Sequence, residues 1–291
     1  EREGTTEQDG FLDLLVDKGL DAIRQPANPP DLRGYVREFL IPGFPQPAVH
    51  IPSPRRDLWL TSYLEQAVTR DVEQSDLRRD PIRLARFVET LAVHTASVVN
   101  DKTLYRGAGI NRRTALAYER LLSDLSLVDA LPAWWSNRLK RLTQQPKRLF
   151  TDASLAAAAL RIDEDGIMRD GATLGRLLET YVIAQLRAEL PSLHGRYRLH
   201  HLRTEQGRHE IDIVAELPGQ KILAFEVKAT AAPNRGDAKH IAWLRDELGD
   251  RFVAGAVLHT GPRVFMLEDG IAAVPIAALW QPGRAAPAEV P

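Results

Sequence analysis

Apolar residues first recur at helical spacing in "FLDLLVDKGLDAI", which is followed by the breaker-rich "QPANPPD" and the proline-laden "IPGFPQPAVHIPSP". Each proline fixes its own φ and pushes the residue before it toward extended backbone. Residues 1 to about 50 are therefore expected to run as extended connections rather than as a packed domain. From "DLWLTSYLEQAVTRDVEQ" onward apolar positions return every three or four residues, with Leu60, Leu64, Ala67 and Val68 on one helical face. Asp80 and Pro81 open the next helix as N-cap and first-turn proline, and Leu84, Phe87, Val88, Leu91 and Ala92 form its inner face.

The stretch "DKTLYRGAGINRRTALAYERLLSDLSLVDALPAWW" divides into a short helix, a glycine-bearing turn and a longer helix capped by Asn111. Leu116, Leu121, Leu122 and Leu125 line the apolar side of the longer helix, and the chain after it reads as extended. This is the order of a helix-turn-helix followed by a wing. Arg112, Arg113 and Arg120 lie on or near the second helix, and Arg138, Lys140, Arg141, Lys147 and Arg148 follow around the wing. Such a layout suits phosphate binding. It equally suits a winged helix packed against its neighbours, with the arginines solvating its outer face.

"RLFTDASLAAAALRI" reads as a strand entering a small-residue helix capped by Asp152. "GATLGRLLETYVIAQLRAEL" is a strong helix striped by Leu174, Leu177, Leu178, Tyr181, Val182 and Leu186, with Glu179 beside the stripe. Three strands, a helix over "RGDAKHIAWLRDEL" and the strands "FVAGAVLHT" and "RVFMLED" follow. The middle strands, in "EIDIVAELPGQKILAFEVKA", carry the candidate chemistry. Alternation puts Glu226 and Lys228 on the face of Ile222 and Ala224, opposite Leu223, Phe225 and Val227. A two-residue turn at Pro218 and Gly219 sets Asp212 opposite Phe225 and splits the acids between faces. A three-residue turn of Pro218, Gly219 and Gln220 sets Asp212 opposite Glu226, with Cβ atoms about 5 Å apart. Two carboxylates that close repel unless a proton or a cation sits between them, and a divalent metal is the economical cation. The bland alternative is a half-exposed hairpin whose charged face sits in water.

At 291 residues and 44% hydrophobic content the chain can bury more than one core. A formal net charge of -1 argues against a protein that coats nucleic acid or membrane surfaces in general. With no cysteine there is no disulfide framework, no thiolate zinc site and no cysteine nucleophile. No apolar run approaches a bilayer's thickness, so no membrane partner is expected, and the reading is of a cytoplasmic protein. His200, His201 and His209 are weak zinc candidates, because adjacent strand residues face opposite ways. Trp134 and Trp135 are read as packing residues rather than base-stacking platforms. The tail "QPGRAAPAEVP" reads as disordered.

Asp212, Glu226, Lys228 and helical Glu179 match, in order and element type, the signature of the PD-(D/E)XK nuclease superfamily, which the chain resembles here. "LLETYVIAQL", "HEIDIV" and "FEVKAT", with "RLFTDASLAAAAL" and "YLEQAVTRDV" upstream, resemble the C-terminal region of bacterial and archaeal predicted AAA-type ATPases. In that group a nucleotide-binding module precedes a winged helix and a nuclease-like domain whose function is mostly unassigned. The resemblance runs from about residue 35 to the end. It implies an α+β or α/β chain divided into a remnant after an ATPase module (1–56), a helical and winged-helix domain (57–148), a nuclease-like domain (149–280) and a tail (281–291). It further implies Asp212 and Glu226 as ligands of Mg²⁺ or Mn²⁺, Glu179 as auxiliary ligand and Lys228 as the group that positions water or stabilises charge. DNA and the protein's own ATPase module are the implied partners. No G-x-x-x-x-G-K-[ST] phosphate loop occurs, so ATP belongs to a module outside this chain, and ATP hydrolysis is not expected from it. The start at Glu1, without methionine, fits a fragment and equally fits removal of a tag. The alternative to a nuclease is a catalytically silent region that binds DNA or protein for that ATPase module.

Overall fold

The computed structural model of the chain describes residues 10–73, 80–134, 145–193, 195–204 and 207–280. The first elements are α1 (Phe11–Lys18), α2 (Leu32–Leu40), α3 (Pro45–His50), α4 (Ser53–Glu73), α5 (Pro81–Val93), α6 (Asp101–Gly107) and α7 (Arg112–Asp124). Strands β1 (Val128–Leu131) and β2 (Lys147–Phe150) follow, then α8 (Ala153–Leu160), α9 (Glu164–Arg169) and α10 (Gly171–Glu189). The remainder is β3 (Arg198–Arg203), β4 (Glu210–Glu216), β5 (Ile222–Lys228), α11 (Lys239–Leu248), β6 (Phe252–His259), β7 (Phe265–Glu268) and β8 (Ile271–Pro275). The chain is thus mixed α and β, helical in its N-terminal part with a mixed sheet in its C-terminal part. Val36–Pro132 with Gln145–Tyr181 form one unit, and the other described residues form a second. No helix among the described residues is long and apolar enough to cross a membrane.

In the helical unit the capping residues act as their chemistry dictates. The Asp80 carboxylate accepts from the Ile82 and Arg83 N–H groups, Asn111 from Thr114 and Asp152 from Ser154. β1 and β2 pair antiparallel, Val128 opposite Phe150 and Leu131 opposite Lys147. Two expectations fail here. The helical spacing of "FLDLLVDKGLDAI" forms α1, but the extended connections expected beyond it contain α2 and α3 and bury Tyr35, Val36 and Phe39. Pro45 and Pro47 sit in the first turn of α3, where a missing N–H breaks no helical bond, so they start a helix instead of preventing one. The inner stripe of α7 is Ala115, Tyr118 and Leu122, while Leu116 is 47% exposed. Tyr118 can take the central place because its hydroxyl donates to the Asp80 carbonyl at 3.2 Å.

The sheet of the second unit has the strand order β3-β4-β5-β6-β8-β7. β3, β4 and β5 are antiparallel neighbours, β5, β6 and β8 run parallel, and β7 returns antiparallel to β8. Phe225 meets Phe11 of α1, with ring centroids 6.1 Å apart. Ile222 and Ala224 instead share a core with Ile241, Leu244 and Leu248 of α11. That helix lies close because β6 carries Gly255 beneath it, where a Cβ would collide with the Ile241 side chain.

The start of α1 is tied by a partly buried acid. Glu189 Oε1 accepts the Leu12 N–H at 2.8 Å, and the Tyr197 hydroxyl donates to Asp13 at 2.6 Å. Burial foremost, offset by the Leu12 N–H and reinforced by Asp13, pushes Glu189 up to about 7 from 4.5. Between those values the folded chain holds a proton that the unfolded chain has lost. The resulting stabilisation is complete below the unfolded value and disappears as pH rises through the folded one, a total of ~3 kcal/mol. Urea unfolding midpoints should accordingly fall from pH 5 to pH 8, and Glu189→Gln should flatten that fall.

Candidate functional site

The turn between β4 and β5 is the three-residue one. Leu217 N–H donates to the Lys221 carbonyl at 2.9 Å, and Gly219 supplies the left-handed backbone at φ 76°. Glu216 then pairs with Ile222, Val214 with Ala224 and Ile213 with Phe225. One more step of the same register brings Asp212 opposite Glu226, on the Ile222 and Ala224 face. The half-exposed hairpin is excluded, since β5 runs between β4 and β6 and Glu226 is only 3% exposed.

Each group of the pair is held by a neighbour. Asp212 Oδ2 accepts the Val227 N–H at 3.0 Å. Glu226 Oε2 accepts from Lys228 Nζ at 3.0 Å, and Glu226 Oε1 is buried with no hydrogen-bond partner among the described residues. Burial, then the Asp212 charge, push the Glu226 carboxyl well above the usual carboxylate range, against the pull of Lys228. Lys228 is held protonated beyond its ordinary value: the Glu226 and Asp212 carboxylates outweigh its own burial, the largest single influence. A carboxyl whose ionisation is opposed both by burial and by the Asp212 charge facing it suits a hard cation, which would offset those charges and take both acids as oxygen ligands.

Glu179 lies on α10, within the helical unit, as the sequence places it. Its Oε1 accepts from Lys147 Nζ at 2.7 Å, and the Lys147 side chain is 1% exposed. Arg148 is engaged as well, 2.6 Å from Glu119 and 2.8 Å from Asp101. These two cations therefore leave the expected phosphate-binding layout, because burial obliges each to take carboxylate partners. Arg112, Arg113 and Arg120 are exposed on α7. Arg138, Lys140, Arg141, Trp135 and the tail from residue 281 lie outside the described residues. Trp134 is buried in the core of the sheet unit, as packing predicts. His201 is buried and its carbonyl accepts the Trp134 N–H at 2.6 Å, while His200 Nε2 lies 3.6 Å from Glu216. No group of three or more His, Asp or Glu side chains suited to a metal occurs among the described residues. The sequence reading missed His240, which feels the charges of Lys228 and Asp212 and meets His209 across 31 positions of chain. No local spacing signals such a pair.

Residues 174–279 match the family model described as a domain of unknown function, DUF4143, and residues 32–166 match that of another, DUF8612. Asp212, Glu226, Lys228 and Glu179 fall in the DUF4143 match, and Arg112, Arg113 and Arg120 in the DUF8612 match. Uncharacterized proteins of Mycobacterium tuberculosis and Mycobacterium bovis are each 28% identical over 267 residues, covering 91% of this chain and 57% of theirs. The chain thus spans little more than half the length of these curated relatives. Among solved structures, protein VC1899 from Vibrio cholerae is 15% identical over 87% of this chain and 60% of its own, at a TM-score of 0.26.

Proposed function

We propose that the DUF4143 domain is a nuclease-like domain of the PD-(D/E)XK kind that hydrolyses phosphodiester bonds in DNA with a divalent metal. We read the DUF8612 domain as holding a winged helix that contacts the DNA backbone. The observation that carries the nuclease reading is the buried, half-partnered Glu226 carboxyl facing Asp212. Asp212 and Glu226 are the residues that would hold Mg²⁺ or Mn²⁺, which supplies charge neutralisation at a phosphate and lowers the proton affinity of water. Asp212 is kept in place by the Val227 N–H, so one ligand is oriented by backbone rather than by a free side chain. Glu226 would be the second ligand, its buried charge offset by the metal. Lys228, partly exposed, would donate to a water or to an oxygen on which negative charge develops. On α7, Arg112, Arg113 and Arg120 would meet phosphates, each contact steepening the salt dependence of binding by about one unit of slope.

A second reading has its own support. Glu179, the expected auxiliary ligand, accepts from a buried lysine, and no third carboxylate or imidazole joins Asp212 and Glu226 among the described residues. Those facts favour a silent binding region working for an ATPase module.

Calorimetry with Mg²⁺ and Mn²⁺ on the chain, with Asp212→Ala and Glu226→Ala beside it, separates the two. Binding that both substitutions abolish, with cleavage of single- or double-stranded DNA, supports the nuclease. Absence of binding at millimolar metal removes it and leaves the silent region.

A further inference from the structure

A second constellation sits in the sheet unit and plays no part in the proposed hydrolysis. His209 stands immediately before β4, and His240 is the second residue of α11. Their Nδ1 atoms are 3.4 Å apart, with ring planes at 89°. His209 is fixed by stacking on Trp243, with centroids 4.0 Å apart and planes within 12°.

A separation of 3.4 Å is long for a hydrogen bond donated by a ring N–H, whose usual range ends near ~3.2 Å. It does fit two ligands of one tetrahedral ion, since Zn–N bonds of about 2.05 Å at the tetrahedral angle set the two nitrogens roughly 3.3 Å apart. Burial first, and nearby cations next, hold both imidazoles below the usual histidine range, the form in which a nitrogen lone pair is available to a metal. For His209 those cations are Arg208 and Lys239, opposed by Glu247. For His240 they are Lys239 and Lys228, with the His209 ring acting alongside and Asp212 opposing. Both rings are only partly buried, so an ion can enter and keep water in its remaining positions.

We propose that His209 and His240 form a two-imidazole chelate for a divalent transition ion of the Zn²⁺ class, distinct from the carboxylate pair. Imidazole nitrogen suits Zn²⁺, Ni²⁺ and Cu²⁺, whereas carboxylate oxygens suit Mg²⁺ and Mn²⁺, so the two sites differ in the ions they select. An ion there fastens the first turn of α11 to the strand that carries Asp212.

The test is calorimetric titration of the whole chain with ZnCl₂ in excess Mg²⁺, repeated on His209→Asn, on His240→Asn and on an Asp212→Asn/Glu226→Gln double variant. One equivalent of Zn²⁺ should bind the parent chain and the carboxylate double variant alike. Each histidine variant should lose at least ~10-fold in affinity. Zn²⁺ should raise the thermal midpoint of the parent and of the carboxylate variant, and leave those of the histidine variants unmoved. His240→Asn, at a partly exposed helix start, carries the test if His209→Asn fails to fold. Unchanged Zn²⁺ affinity in His240→Asn, or its loss in the carboxylate variant, would overturn the proposal. Because the readout is Zn²⁺ under Mg²⁺, absence of DNA cleavage or Mg²⁺ binding counts against the nuclease reading and not against this one.

Discussion

Glu179→Ala is expected to destabilise the helical unit by ~3–5 kcal/mol, the largest effect of any single substitution at the candidate residues. The Lys147 ammonium is 1% exposed and donates to Glu179 at 2.7 Å, so the truncation takes an acceptor from a charge that water cannot reach. Pairing is a poor source of net stability, because both ions must first be desolvated, but breaking a buried pair leaves that desolvation uncompensated. The double substitution Glu179→Leu/Lys147→Met, which removes both charges at similar volume, should therefore recover most of the loss. Urea unfolding of the three variants gives the comparison. A metal-ligand role makes the opposite forecast: Glu179→Ala would leave the unfolding midpoint near that of the parent and lower Mg²⁺ affinity.

The second large effect runs the other way. Glu226→Gln should abolish Mg²⁺ binding and any DNA cleavage while stabilising the fold by ~0.5–2 kcal/mol, the exchange typical of strained functional positions. The cause is the raised carboxyl. A group whose folded value lies above its unfolded value supports the fold fully at low pH and loses that support as pH rises through the folded value. An amide has no proton to lose, so the advantage of the variant should grow with pH. The introduced amide can donate to Asp212 and still accept from Lys228, keeping the geometry while removing the charge. Chemical unfolding at pH 6 and pH 8, beside calorimetry with Mg²⁺, checks both halves. A variant that is less stable at both values would contradict the burial argument.

What was legible in the sequence followed from local rules. Asp80, Asn111 and Asp152 are caps because a short polar side chain precedes an apolar helical pattern. The choice between two turn lengths at "LPGQK" reduced the carboxylate geometry to parity, and the register of Ile213 with Phe225 answers it. The misses have physical reasons too. β8 escaped notice because "IAAVP", buried at every position, shows no alternation, as befits a strand enclosed between β6 and β7. The leucine stripe of α7 holds at Leu122, whereas a smaller Ala115 and a Tyr118 with its hydroxyl satisfied pack inward where Leu116 is exposed. Lys147 looked like a surface cation because sequence does not say which lysine will be enclosed. Glu179 stands 32 residues from it, and His240 stands 31 from His209, so only the folded chain brings these partners together.

The turn of Pro218, Gly219 and Gln220 lies at the far end of β4 and β5 from the acids, and no ligand need ever touch it. It is nevertheless the gauge that sets their spacing. Closing the same sequence with a two-residue turn of Pro218 and Gly219 would pair Leu217 with Gln220 and shift every position of β4 by one against β5, so the strand would turn its other side to α11. Asp212 would then stand against Phe225 while Glu226 stayed where it is. The pair is thus defined by a count of residues made five positions away from it, and a loop of ordinary appearance carries as much of the site as the acids do.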